Sequence, residues 1–467
     1  MKNQGKLGIE VPEILIPDEK VNMRKWSVVA CDQFTTNQRY WNEVERMVGN
    51  SPSTLHIMLP EIYLEDADVS QRISRAKEVM RSYLDDSVLN LLPRGFVLVE
   101  RYIDGKPRKG LMVAIDLEEY DYDLESRPLI RATEETLLER IPPRIAIRKN
   151  ADVEMPHVLV LMDDKEKQVI EPLYQRKDRF PKLYDFELMQ NGGRVAGYFV
   201  DDEASIEGVL EAISQLELHD GMRFCVGDGN HSLATAKTVW EEAKETLSPE
   251  ELETSPLRYA LVELLNLHDD ALTLKPIHRV ISKVNSAQCI QYVADQLNRA
   301  GLDARLVFSR RKPSMQMSSA PQTVFFTSKD SAGRIEIHNP VHPMVVGEIQ
   351  PVLEKYAEKN NCRLEYIHGD EELEELAGEY DTLGFYMPAM EKETFFDTVI
   401  ECGVLPKKSF SLGEANEKRY YLECRLLTQA EEIVEDEEAE EPIAEEEDEA
   451  RMAEEEIIGE DAPEEEE

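Results

Sequence analysis

The sequence predicts an α/β or α+β fold with mixed sheets, followed by an acidic disordered C-terminal tail. Three observations lead there. Short runs rich in Val, Ile, Phe and Tyr recur along the 467 residues, as strands require. Longer stretches with apolar residues three and four positions apart lie between some of them, and the two kinds do not alternate strictly. Residues 431–467 hold 22 acids, one Arg and no aromatic residue. That composition offers too little apolar surface to offset the entropy of ordering the chain.

Taken in order, WSVVA (26–30) reads as the first strand. GFVLVERY (95–102) and GLMVAIDL (110–117) flank the turn IDGKPRKG and read as a hairpin. HVLVLMD (157–163), VAGYFV (195–200), MRFCVGD (222–228) and RYALVELLNL (258–267) continue the strand series, and TVFFTS (323–328), RIEIHN (334–339) and TLGFYM (382–387) extend it. Helical spacing marks 40–49, 69–86, 232–247, 287–301 and 347–360. The expected division is a main α/β domain over 1–285, a smaller C-terminal α/β domain or subdomain over 286–430, and the tail over 431–467.

Formal net charge is −42, and the tail carries about half of it. A body that acidic argues against nucleic-acid binding, which depends on Lys and Arg neutralising phosphates. A small anion can still bind where basic groups gather locally. The six cysteines, at 31, 225, 289, 362, 402 and 424, form no CxxC pair. They read as free thiols of a reducing compartment. No stretch has the length and apolarity of a membrane span or signal peptide, so a cytoplasmic protein without membrane partners is expected. The oligomeric state is not legible.

Residues 225–231, CVGDGNH, stand where a strand gives way to the helical run SLATAKTVWEEAK. Ligands of α/β proteins often sit at such turns. Gly227 and Gly229 allow unusual backbone and close approach. A phosphate could rest on the N–H groups of the helix start, near Gly229, Asn230 and Ser232. Asp228 could serve as a general base or hold Mg²⁺, and His231 could steady a phosphate oxygen. Lys237, two turns on, is a weaker candidate. G-D-G-N is equally good turn chemistry with no ligand at all.

The second feature is RPLIRATEETLLERIPPRIAIRK (127–149), a basic island in an acidic chain. Thr133 can start a short helix reaching about Leu138, which Pro142 and Pro143 end. RIAIR then reads as a strand with Arg144 and Arg148 on one face. With Arg131 and Arg140 these guanidinium groups form a candidate anion site. Glu134 lies within this charge as a base or metal ligand, or only as an acid favouring a helix start. His278 and Arg279, in KPIHRVI, are candidates for a pocket wall; a lone His there is more often a core residue. ACDQF (30–34) and MPHVLVLMDD (155–164) read as structural. Walker, Rossmann and nucleophile-elbow motifs are absent.

The pieces ACDQF, GLMVAIDL, RATEETLLERIPPR, CVGDGNHSLATAK, PIHRV, GFYMP and LPKKSF, spread over about residues 20–425, resemble the bacterial and archaeal family called domain of unknown function 1015. In many relatives the central turn reads DGHHR. It is similar to the DGH-type turn of the ParB/sulfiredoxin-like superfamily, which includes kinases of free serine. The resemblance implies nucleotide-dependent phosphoryl transfer to a small metabolite, with free serine as the implied acceptor, ATP or ADP as donor and Mg²⁺ as cofactor. The alternative is a nucleotide- or metabolite-binding regulator without turnover. The matching positions are Asp228, Gly229 and His231, with Arg131, Glu134 and Thr136. The family's first His is Asn230 here and its Arg is Ser232. That loss removes a natural phosphate ligand, for which Arg140, Arg144 or Lys237 would have to substitute.

Overall fold

Two sheets organise the chain, and each strand's place follows from which of its faces are apolar. The computed structural model describes residues 6–31, 34–64, 66–103, 105–123, 126–136, 141–309 and 318–428. The described residues up to Leu427 form one compact unit. The acidic tail, 431–467, lies outside the described residues, as does Arg140.

The first sheet has ten strands: β1 (Ile9–Glu10), β2 (Phe96–Ile103), β3 (Lys106–Asp116), β4 (Tyr120–Asp121), β5 (Ile130–Arg131), β6 (Leu159–Met162), β7 (Lys182–Glu187), β8 (Arg194–Val200), β9 (Phe224–Asp228) and β10 (Tyr259–Asn266). Their order is β7-β8-β2-β3-β10-β6-β9-β5-β4, with β1 beside β3. The hairpin read from the sequence is β2–β3, paired antiparallel from Val97↔Met112 to Ile103↔Lys106. β6 runs parallel to β10 and antiparallel to β9, so the sheet is mixed.

The central strands are apolar on both faces because both faces are covered. Phe96, Leu98, Leu111 and Val113 pack with helices α4 (Glu203–Gln215) and α5 (Asn230–Lys244). Val97, Val99 and Met112 alternate to the other side. There they meet Trp41 of α1 (Gln38–Val48), Met80 of α2 (Val69–Asp85), and Trp26 and Tyr420. The second sheet contains β11 (Leu274–Ser282), β12 (Ala304–Ser309), β13 (Gln322–Thr327), β14 (Ala332–Ile337), β15 (Arg363–His368), β16 (Thr382–Tyr386) and β17 (Phe410–Leu412). Its order is β12-β14-β13-β16-β11-β15, with β17 on the early part of β11. Helices α6 (Ser286–Arg299) and α7 (Val345–Asn360) bury their apolar stripes on one face. Helix α8 (Asp370–Ala377) lies on the other through Leu373.

After the second sheet the chain returns to the first. Trp26 Nε1 donates to the Leu422 carbonyl at 2.8 Å, and Tyr421 N–H donates to the Val28 carbonyl at 2.8 Å. Arg101, almost fully buried in β2, donates to the carbonyls of Gly192, Asn416 and Lys418. These contacts make residues 415–425 a strap across the first sheet.

Three local expectations differ from the structure. The helix expected to start at Thr133 is absent over the described residues 133–136, where the Thr133 carbonyl instead accepts from Leu405 N–H at 2.8 Å; residues 137–140 lie outside the described residues. WSVVA is not a strand: Met23–Trp26 is one helical turn whose start is capped by Asn22. The apolar residues after it are buried without a strand partner; Val28 N–H donates instead to Thr54 Oγ1. RIAIR is not a strand either. Ile141–Arg148 is a helix, α3. Pro142 and Pro143 sit in its first turn, where a missing N–H costs nothing and a fixed φ helps, so they begin a helix rather than end one. Arg144 and Arg148 still share a face, now through their four-residue spacing.

Candidate functional site

Strand β9 carries buried Phe224, Cys225 and Val226 into the sheet, and then its pairing with β6 slips by one residue at Gly227. A side chain at Gly227 would collide with Leu412 of β17, whose Cδ1 lies 2.6 Å from where the Cβ would stand. Gly229 follows with φ 87°, a left-handed conformation natural to glycine, and α5 starts at Asn230. No side chain caps that start. Asp228, Gly229, Asn230, His231 and Ser232 therefore line a cavity of about 350 Å³, with the positive field of the helix start at its wall.

The cavity wall mixes polar and apolar groups. Thr133, Glu134, Arg144, Arg148, His157, Lys407, Lys408, Lys418, Arg419 and Tyr421 contribute polar groups to its wall, and Trp41, Ile57, Met58, Leu59, Leu64 and Met80 contribute apolar ones. The charges are largely matched. Lys418 Nζ is 2.9 Å from Asp228 Oδ2 and donates to Ser411 Oγ at 2.9 Å. Arg144 pairs with Glu61. Arg148 Nη1 lies 2.6 Å from Glu154, which also receives Arg425 Nε at 2.6 Å and the Leu261 N–H at 2.9 Å. Burial by itself would raise the Glu154 carboxyl, but Arg148 and Arg425 outweigh it and hold it below the usual range.

The residues read from the sequence are thus partly brought together. Glu134, Arg144, Arg148 and the five turn residues share the cavity. Asn230 spends its amide internally: Oδ1 accepts from Thr133 N–H at 3.1 Å and Nδ2 donates to Thr133 Oγ1 at 3.3 Å. Arg131 is not in the wall; it donates to the Asp220 carbonyl and pairs with the Asp220 carboxylate at 3.6 Å. Lys237 turns away to the Leu117 carbonyl at 2.9 Å and to Glu241.

His278 is fully buried, receiving the Met387 N–H on Nδ1 at 3.1 Å and facing Asp370 with Nε2 at 2.8 Å. Arg279 is fully buried too, and desolvation lowers its pKa to about 10. It donates to Gln350 Oε1 at 2.8 Å and to the Lys407 carbonyl at 2.9 Å, so it supports the rim without reaching the cavity.

The cations of the wall that sequence reasoning passed over are Lys407, Lys408, Lys418 and Arg419. The signal was present: KK in LPKKSF and KR in NEKRYY are adjacent basic pairs in an acidic chain. His157 begins the approach to β6, and its Nε2 lies 3.0 Å from Ser232 Oγ.

A family model described as "Protein of unknown function (DUF1015)" matches residues 14–354, and the chain belongs to that family. No curated protein matches. Among solved structures, a free serine kinase in complex with AMP matches at TM-score 0.39 and 10% identity, over 69% of this chain and 93% of that one. A conserved hypothetical protein from Pyrococcus furiosus matches at TM-score 0.34 and 10% identity, over 67% and 90%. C-terminally truncated SbnI from Staphylococcus aureus matches at TM-score 0.34 and 9% identity, over 70% and 93%. Among the described residues no helix is long and apolar enough to cross a membrane.

Proposed function

We propose that the cavity binds a nucleotide and transfers its terminal phosphoryl group to a small hydroxylated metabolite, with free serine as the acceptor to test first. The observation that carries the reading is the gathering of Arg144, Arg148, Lys407, Lys408 and Lys418 around the start of α5, in a chain of net charge −42. A phosphate chain suits that helix start, where cations and the helix field act together. The base of a nucleotide suits the apolar side chains of the wall, Trp41, Met58 and Leu64 among them. The acceptor hydroxyl would attack phosphorus as the bond to the leaving phosphate breaks, and Asp228 would take the hydroxyl proton. Lys418 and His231 would steady the charge on the transferring group.

The Mg²⁺ implied by the family resemblance finds no protein-only seat among the described residues. Among the described residues no three His, Cys, Asp or Glu side chains gather to hold a metal. Asp228 already faces Lys418. No step is assigned to the ion.

One observation favours the second reading, a regulator that binds nucleotide without consuming it. Asp228 Oδ2 already holds Lys418 Nζ at 2.9 Å, which leaves chiefly Oδ1 to take a hydroxyl proton. Incubation with L-serine, Mg²⁺ and ATP or ADP, followed by phosphorus NMR, separates the two. Phosphoserine formation that is lost in Asp228→Asn, with nucleotide affinity kept, supports transfer. Nucleotide binding without any turnover supports the regulator.

A further inference from the structure

We propose that Ser232 is itself a nucleophile, accepting a phosphoryl group from the bound donor with His157 as its base. The inference rests on the cavity being a phosphoryl-donor site. Ser232 Oγ and His157 Nε2 are 3.0 Å apart, within reach for direct proton transfer, and both residues line the cavity. The imidazole is flanked edge-on by the Tyr421 ring, with centroids 5.2 Å apart and planes at 69°.

Other hydroxyls of α5 make the contrast. Thr235 and Thr238 donate to carbonyls four residues back, His231 at 2.7 Å and Ala234 at 2.9 Å, the ordinary use of a hydroxyl in a helix. Ser232 turns its hydroxyl to an imidazole instead. It stands in the first turn of a helix whose start no side chain caps, so the helix field favours the charge that a phosphoryl group brings. Lys418 supplies a cation on the same cavity wall.

The step balances within the site. Ser232 Oγ attacks the terminal phosphorus of ATP, the P–O bond to the leaving diphosphate breaks, and the hydroxyl proton passes to His157 Nε2. The products are phosphoserine at 232 and ADP. The phosphorylated side chain would then fill the anion position at the start of α5 and exclude a second donor.

The test uses the full chain with ATP, and separately with acetyl phosphate, read by intact-protein mass and peptide mapping. ATP binding is measured in parallel by equilibrium dialysis. The wild type should gain one phosphoryl group on the peptide containing Ser232. Ser232→Ala should gain none, and His157→Gln, which keeps a hydrogen-bonding group without a base, should label about 10²- to 10⁴-fold more slowly. ATP binding without any mass change, or equal labelling of Ser232→Ala, overturns the inference while leaving the cavity reading intact. Absent binding of both ATP and, in the same dialysis, ADP refutes the cavity reading, and labelling by acetyl phosphate then decides the fate of Ser232 alone.

Discussion

Asn230 offers the sharpest test of how this turn is built. The sequence assigns it to ligand binding, whereas its amide is committed to Thr133. Replacing it by Ala removes the acceptor of the Thr133 N–H, and Thr133 is only 1% exposed. A buried donor left without a partner costs about 1–3 kcal/mol. The second bond, at 3.3 Å, adds about 0.5–1 kcal/mol. Asn230→Ala should therefore destabilise the protein by about 1.5–4 kcal/mol.

Asn230→Asp keeps the acceptor, and a carboxylate in the first turn of α5 returns about 0.3–1 kcal/mol, so its cost should be much smaller. Urea unfolding followed by tryptophan fluorescence measures both, with Trp240 of α5 as a buried reporter in the same helix. Equal midpoints for wild type and Asn230→Ala would refute the reasoning, and so would Asn230→Asp proving the more damaging change. In either case Asn230 would return to the list of ligand groups.

Three further outcomes are expected. Gly229→Ala must hold φ near 87° and bring a Cβ within 3.0 Å of Val158 Cγ2, so it should lose about 1–2 kcal/mol in the same unfolding assay. Glu154→Gln leaves Arg148 and Arg425 without their shared anion and should cost about 3–5 kcal/mol. Because the folded Glu154 carboxyl titrates below its ordinary range, its stabilisation is present above the unfolded pKa and lost as pH falls through the folded one; Glu154→Gln should flatten that acid limb of a stability–pH curve. His278 is also depressed, chiefly by burial and against the pull of Asp370, so the folded state prefers it neutral. Its contribution is complete above the ordinary imidazole range and declines as pH falls through the folded pKa, and His278→Gln should remove that slope below about pH 6.5 in thermal melts.

Local order determined much of this protein from sequence alone. Period-two and 3.6-residue patterns located most strands and long helices, and CVGDGNH marked a strand-to-helix turn whose residues do line a cavity. Patterning failed where two conformations suit the same few residues. RIAIR alternates like a strand, but the prolines before it are as compatible with a helix's first turn. WSVVA is apolar enough for a strand, but only the positions of Thr54 and Tyr421 decide where its backbone groups find partners.

Tertiary structure alone decided which charges meet. Lys418 reaches Asp228 because Arg101, Trp26 and Val28 fasten the 415–425 strap over the first sheet. His157 reaches Ser232 across 75 residues because β6 and β9 are neighbours in antiparallel register. Arg131, His278 and Arg279 were drawn instead into buried or rim-supporting pairs. Sequence periodicity records the face a side chain occupies on its own element. It cannot record the partner brought opposite by chain crossings, and in a low-dielectric interior that partner sets the meaning of a charge.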